Sequence, residues 1–304
     1  MVDIVIVNWN SDFFLMECVN SLLGSRGESL INKIIIIDNN STDSSLEQIK
    51  IALKNSKIKV CVNEKNLGFS KACNQGFFLC SSEFVLLLNP DAMVLENTLE
   101  DCLSFMKSNK EVDVLGCRLL DENGNNTPSC SRFPTPLRFF FDASGLSKLA
   151  PSIFTPATLM TDWKHTESKK VDQVMGAFMF MRISIFKKIG YFDERFFVYY
   201  EELDFSKRLA SAGGVSYYNI KISAIHSGEG TTKSIKAYRL FLNLKSRLQY
   251  SKKHFNLPGY LVVWGSTFFI EPFARIFISL LKGKPEEVKE IFKSFLLLIK
   301  RKIN

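Results

Sequence analysis

Apolar runs and helical stripes alternate along the first hundred residues. Ile4–Val7 is an apolar run closed by Asn8-Trp9-Asn10, and behind it Phe14, Leu15, Cys18, Val19 and Leu22 recur at helical spacing. Lys33–Ile37 is a second run, closed by Asp38-Asn39-Asn40-Ser41-Thr42-Asp43, with Leu46, Ile49 and Leu53 at helical spacing after it. Ile58–Val62 is a third, leading through Asn66-Leu67-Gly68-Phe69 into a helix with Ala72, Gln75, Gly76 and Leu79. Phe84–Leu88 is the fourth. This order predicts an α/β fold, a mostly parallel sheet with helices on both faces and right-handed crossovers.

The fourth run ends abruptly, at Asn89-Pro90-Asp91. A strand so apolar is buried on both faces, and Pro90 cannot donate to a ladder, so Asp91 is offered where the chain leaves the sheet. That carboxyl edge is where open α/β sheets bind ligands, and a carboxylate there suits a hard cation holding phosphates. A helix over Leu95–Lys107 and a strand over Asp113–Cys117 follow. Residues 121–172, with Gly124, Pro128, Pro134, Pro136, Pro151 and Pro156, read as a long loop region with a short helix near Leu137–Leu149. Val171–Met181 reads as a strand interrupted by Gly176-Ala177, a sign of close backbone approach to a ligand or of packing. Helices over Ser184–Ile189 and Tyr200–Ala212, the latter stopped by Gly213-Gly214, precede a short strand over Lys221–Ile225. His226 then sits at a glycine-bearing turn, Ser227-Gly228-Glu229-Gly230.

Charge divides the chain in two. Residues 1–230 carry 24 Lys/Arg against 27 Asp/Glu, and 231–304 carry 15 against 4, so the net charge of +8 comes from the last quarter. The expected organisation is a catalytic domain over 1–230 and a basic, aromatic-rich helical extension over 231–304. Leu257–Leu281 is strongly apolar, but Glu271, Pro272 and Arg275 interrupt it, which argues against a simple spanning helix. Lys282–Lys302 mixes Lys and Arg with Ile291, Phe292, Phe295, Leu296 and Ile299. The pattern predicts apolar helix faces at a membrane surface with cations against anionic headgroups; a packed helical subdomain or a dimer interface is the alternative. No nucleic-acid motif accompanies the basic residues. The seven cysteines include no C-x-x-C pair and read as reduced, mostly buried hydrophobes of a cytosolic protein. Met1–Val7 has no basic leader and reads as the first strand.

Polar clusters follow each strand end: Asn8/Trp9/Asn10, Asp38/Asn39/Asn40/Asp43, Asn66/Gly68/Asn74 and Asn89/Asp91. On a parallel sheet these converge on one rim, an acceptor-rich, aromatic-lined cleft suited to a nucleotide. Each alone is also a helix cap or a turn. Neither a G-x-G-x-x-G after the first strand nor a P-loop is present. The second constellation is Phe196-Phe197-Val198-Tyr199-Tyr200-Glu201-Glu202, where aromatics before two carboxylates could raise the proton affinity of one of them, as a general base requires; an acidic helix N-terminus stabilised by its dipole is the alternative. Asp204 and Arg208 are spaced for an ion pair on the face that carries Glu201. His226 offers an imidazole that could join Asp91 on a cation.

Val-Asn-Trp-Asn, Asp-Asn-Asn-Ser-Thr-Asp, the Leu67-Gly68-Phe69 to Gly76 segment, Leu-Asn-Pro-Asp, Gly176-Ala177 and the Phe192–Arg208 segment, ending with His226, resemble the inverting family 2 glycosyltransferases of the GT-A fold. Within these the pattern looks most like the rhamnosyltransferase-like members of bacterial surface polysaccharide assembly, over about residues 3–250. The resemblance implies a nucleotide-sugar donor, Mg²⁺ or Mn²⁺ on its diphosphate, a glycan or polyprenyl-diphosphate-linked acceptor, and a cytoplasmic place at the inner face of the membrane, with oligomers open. It assigns Asp91 and His226 to the metal, Asp38 to the nucleobase, and Glu202, with Glu201 as competitor, to the catalytic base. The donor-binding set it implies is Asn8, Trp9, Asn10, Asp38, Asn39, Asn66, Gly68, Asn74, Asn89 and Asp91. Two positions depart from the pattern: Asn89 replaces the first carboxylate of D-x-D, and Glu202 stands for an Asp. The rivals are a UDP-sugar donor, a sugar nucleotidyltransferase, and a catalytically silent nucleotide-sugar binder.

Overall fold

The computed structural model describes residues 1–52, 54–228 and 236–300, without the side chains of Lys50, Ile51 and Ala52; Leu53, Glu229, Gly230 and Lys302, used above, lie outside the described residues. In chain order come β1 (Val2–Asn8), α1 (Phe14–Leu23), β2 (Ile31–Asp38), α2 (Ser45–Ala52), β3 (Ile58–Val62), α3 (Phe69–Phe78), β4 (Phe84–Leu88), β5 (Ala92–Val94), α4 (Thr98–Ser108) and β6 (Val114–Leu120). Then come β7 (Asn126–Thr127), β8 (Cys130–Ser131), α5 (Pro136–Ser144), α6 (Leu146–Leu149), β9 (Lys169–Val171), β10 (Gln173–Val174), β11 (Phe178–Arg182), α7 (Ser184–Ile189), α8 (Glu201–Ser211) and β12 (Ser216–His226). The last helices are α9 (Lys236–His254), α10 (Leu257–Gly265), α11 (Glu271–Leu281) and α12 (Glu286–Lys300).

The chain forms two compact units. The first holds Met1–Ser131, Trp163–Glu194 and the segment from Glu201 through β12; the second holds Arg132–Asp162, Arg195–Tyr200 and the helices from α9 onward. Residues 132–162 and 195–200, which the sequence pattern places with the catalytic domain, thus group with the C-terminal helices.

The main sheet of the first unit runs β3-β2-β1-β4-β11-β6-β12-β5. The β3, β2, β1 and β4 strands are parallel, β11 is antiparallel to both β4 and β6, and β12 runs parallel to β6. Every residue of β1 and β4 is buried, the pattern of strands covered on both faces. Gly76 lets α3 sit directly on the sheet, because a Cβ there would run into Val5.

Several local expectations change. After Asp91 the chain first pairs as β5 with the end of β12, so α4 begins at Thr98 rather than Leu95. Lys221–Ile225 is the end of an eleven-residue strand whose ladder to β6 is irregular between Asn219 and Ser223. Val171–Met181 is split, with β10 leaving to pair with β8 while only β11 stays in the main sheet. The 121–172 region contains three short strands and two helices, α5 and α6 being separated by Gly145 at φ 81°. His165 is buried: its Nε2 accepts from Ser129 and Cys130 N–H at 3.3 and 3.2 Å, and Nδ1 bonds Trp163 O at 2.8 Å, a structural task for a residue without sequence context.

In the second unit, α9 packs on α12 and α10 on α5. Leu257–Leu281 is continuous helix, with a π-helical turn at Ser266–Ile270, and is long and apolar enough to cross a membrane by length and composition. Glu271 is nevertheless buried inside the unit, bonded to Arg247 and Arg275.

Candidate active site

The first polar clusters knit the ends of β1 and β2 together. Asn8 and Asp38 are ladder partners, and Asn8 Nδ2 donates to Asp38 Oδ1 at 2.7 Å, to Ser45 Oγ at 2.9 Å and to Ser41 Oγ at 3.0 Å. Asp38 also accepts from Ser41 N–H at 3.0 Å and Ser41 Oγ at 2.6 Å, and neither Asn8 nor Asp38 has exposed surface. Asn10, at φ 51°, accepts from Thr42 N–H at 2.7 Å, and Trp9 beside it is half-buried. Asn39 donates to Gly68 O at 3.1 Å, and Asn66 accepts from Gly68 N–H at 2.9 Å, which holds Gly68 at φ 90° ahead of α3. Asn74 turns the other way. Both ends of its amide bond the Phe192 backbone, at 2.9 and 3.0 Å, and Nδ2 reaches Glu194 Oε1 at 3.1 Å, so it clamps the chain that leads to α8.

Asp91 and His226 meet. His226 Nε2 lies 3.3 Å from Asp91 Oδ1, because the end of β12 pairs His226 with Ala92 and Ser227 N–H donates to Asp91 O at 3.1 Å. Among the described residues no third His, Cys, Asp or Glu completes a metal cluster with them. One oxygen and one nitrogen donor leave most of a coordination shell to phosphate and water, a division hard cations accept with nucleotide substrates.

Glu202 reaches the same edge from α8. A Cβ on Gly176 would fall on its carboxylate, so of the two readings of this glycine, close approach to a ligand or packing, the structure shows it packed against this side chain. Burial pushes the Glu202 carboxyl up to about 6, although its own N–H and that of Gly176 pull the other way. The next residue, Ala177, accepts from Asn89 N–H at 3.0 Å, two residues before Asp91. Glu202, Gly176, Ala177, Asn89, Asp91 and His226 therefore form one connected run across the ends of β4, β11 and β12. Glu201 is buried at 2 % exposure. Both carboxylates bear on α3: burial first, then the charges of Glu201 and Glu202, push the Cys73 thiol far up.

Two local features were not readable from residue types. Tyr199 and Tyr200 both hold left-handed backbone, at φ 67° and 70°, which costs of order 1–3 kcal/mol each and turns the chain directly into the two glutamates. Arg208 Nε bonds Asp204 at 2.9 Å while its other nitrogens bond Ile189 O and Tyr191 O, so the predicted ion pair also ties α8 to the turn after α7.

A family model for "Glycosyl transferase family 2" matches residues 3–190. The chain belongs to glycosyl transferase family 2. This glycosyltransferase is 25% identical over 259 residues to the "Low-salt glycan biosynthesis hexosyltransferase Agl10" of Haloferax volcanii, covering 83% of this chain and 76% of that protein. It is 24% identical over 224 residues to the "N-acetylglucosaminyl-diphospho-decaprenol L-rhamnosyltransferase" of Mycobacterium tuberculosis, covering 70% and 72%. Among solved structures, the mannosyltransferase PcManGT of Pyrobaculum calidifontis, in complex with GDP-Man and Mn²⁺, superposes with a TM-score of 0.58 at 10% identity, over 98% of this chain and 86% of that one. The fold is GT-A, as the motif order implies.

Proposed function

We propose that this glycosyltransferase is inverting and cation-assisted, and moves rhamnose from dTDP-rhamnose, or a sugar from a UDP donor as the rival, onto a lipid-linked or polysaccharide acceptor in surface glycan assembly. The observation that carries the reading is the connected run from Glu202 through Gly176 and Asn89 to Asp91 and His226. A carboxylate with raised proton affinity at a strand edge suits removal of the acceptor hydroxyl proton as the oxygen attacks the anomeric carbon from the face opposite the departing diphosphate. One displacement inverts that centre, and alignment of the two substrates contributes much of the rate. Asp91 and His226 would hold Mg²⁺ or Mn²⁺, which offsets charge on the leaving diphosphate. The loops around Asn8–Asn10, Asp38–Asn39 and Asn66–Gly68 would take the nucleotide, with buried Asp38 and Asn8 fixing loop shape. The mycobacterial relative's printed name, with its diphospho-decaprenol, supports a lipid-linked acceptor.

A peripheral place on the membrane is supported by large apolar side chains exposed on the second unit, among them Leu257 at 68 %, Phe273 at 71 % and Ile299 at 67 %. The deciding experiment incubates purified protein with dTDP-rhamnose or UDP-sugars, Mn²⁺ and a polyprenyl-diphosphate sugar. Nucleotide release that requires acceptor, with an inverted product by NMR, is the expected result. Pyrophosphate release, or donor binding without turnover that Glu202→Ala leaves unchanged, overturns it.

Two variants test the site. Asp91→Ala is expected to raise the Mn²⁺ concentration for half-maximal transfer at least about tenfold, read from a metal titration, since it removes the single carboxylate of the pair. Gly176→Ala is expected to lower kcat about 100-fold with donor affinity little changed, because the new Cβ displaces the base by an ångström or more. Wild-type kcat in Gly176→Ala would show that Glu202 does not need this position.

A further inference from the structure

The second unit holds a cavity of about 560 Å³ whose wall includes Asp142, Lys148, Arg247, Glu271, Arg275 and Lys282. A smaller hollow of about 270 Å³ shares Lys148, Arg275, Ile278 and Lys282 with it. Charges around this space do not balance. Glu271 is one carboxylate bonded to two guanidiniums, through Arg247 Nη2 and, at 2.6 and 2.9 Å, through Arg275 Nη2 and Nε. One positive charge is left over on a cluster in which Glu271 and Arg247 are buried and Arg275 is half-buried, a state that further anionic contact would stabilise. Asp142 is a second carboxylate in the wall; burial raises its proton affinity, and its Oδ2 accepts from Ala157 N–H at 3.1 Å.

Lys148 and Lys282 add two more cations. Among the described residues neither has a carboxylate within 4.0 Å. Lys148 is held below its ordinary value by burial and then by the charges of Arg275 and Lys282, so the three cations press on one another. Arg247 Nε is buried and has no hydrogen-bond partner among the described residues. An anion with several acceptor oxygens would offset the repulsion among these cations. Each of these lysines has an exposed leucine beside it in the chain: Lys148 directly precedes Leu149, exposed to 75 %, and Lys282 directly follows Leu281, exposed to 70 %. Cations beside exposed leucines match a molecule with an anionic head and a hydrocarbon tail.

We propose that this cavity binds the diphosphate head of a polyprenyl lipid, with the tail leaving past Leu149 and Leu281. The assignment rests on the lipid-linked acceptor reading above and locates where the head of that acceptor is held.

Isothermal titration of the full chain with farnesyl diphosphate in dilute detergent tests it. Binding is expected, with at least a tenfold loss in the double variant Lys148→Ala/Lys282→Ala and recovery in Lys148→Arg/Lys282→Arg. Neither lysine is part of the packed interior, so the variants leave it intact. Farnesol and inorganic pyrophosphate are expected to bind at least tenfold more weakly than farnesyl diphosphate. Equal binding of farnesol makes the site merely apolar, equal binding of pyrophosphate makes it a free-anion site, and equal competition by phosphatidylglycerol bicelles makes it a general headgroup site. Each of these overturns the proposal, as does unchanged affinity in the double variant. Binding of dTDP and UDP with Mn²⁺, measured alongside, reports on the donor reading separately, so failure there leaves the cavity result standing.

Discussion

Glu202→Gln is expected to lower kcat/KM by about 10²–10⁴-fold, the usual share of a positioned general base, while nucleotide affinity stays near wild type. Gln keeps the shape of the side chain and still accepts from Gly176 N–H, so the loss would report proton transfer rather than packing. Glu201→Gln is the internal comparison, expected to cost far less, because Glu202 is the carboxylate seated at Gly176. The reverse order of losses would move the base to Glu201. The same burial sets a pH signature. With the Glu202 carboxyl raised to about 6, wild-type kcat/KM should fall on the acid side around pH 6 rather than near 4.5. Stability carries the opposite sign. The folded pKa lies above the ordinary value, so the contribution of this group is fully present below about pH 4.5 and is lost as pH rises through about 6. By the standard conversion the loss is on the order of 2 kcal/mol. Glu202→Gln should therefore raise the melting temperature relative to wild type at pH 8 and not at pH 4, as measured by thermal denaturation in the two buffers.

The inner strands were legible because burial on both faces leaves an unbroken apolar run, and the Asn89-Pro90-Asp91 stop marked where the chain must leave the sheet. What residue types could not carry is partnership across the sequence. Gly176 announced a close approach, but nothing local to it says that Glu202 is what approaches. Asn74 has the composition of a ligand-binding residue, and both ends of its amide are instead spent on the backbone of Phe192, over a hundred residues on. Tyr199 and Tyr200 adopt backbone angles that aromatic residues rarely hold, so the start of α8 is decided by the surrounding structure rather than by propensity. β5, three residues long, exists because the end of β12 lies beside it. Glu271 was readable as an interruption of an apolar stretch; its partner Arg247 lies on a different helix.

Glu271→Ala is expected to cost about 3–5 kcal/mol, the range for removing one partner of a buried ionic cluster. Glu271 is 1 % exposed, and its deletion would leave Arg247, itself 4 % exposed, without its carboxylate inside the second unit. Burial alone would push the Glu271 carboxyl up, but the charges and hydrogen bonds of Arg247 and Arg275 reverse this and hold it below the ordinary value. Its contribution is thus present above about pH 4.5 and is lost as pH falls through the lower folded pKa. Urea denaturation at pH 7, followed by hydrogen exchange on α9 and α11, would register the loss as a lower midpoint and earlier exchange in these helices. Replacing Arg247 and Glu271 together by Met and Leu should recover part of it, since the charged pair is then removed rather than broken. An unchanged midpoint in Glu271→Ala would mean that solvent reaches Arg247 freely. The cluster also bears on how Leu257–Leu281 is used. A carboxylate bonded to two arginines fixes one side of this apolar stretch against protein and leaves Phe269, Phe273 and Phe277 outward, the face that the proposed membrane association would use.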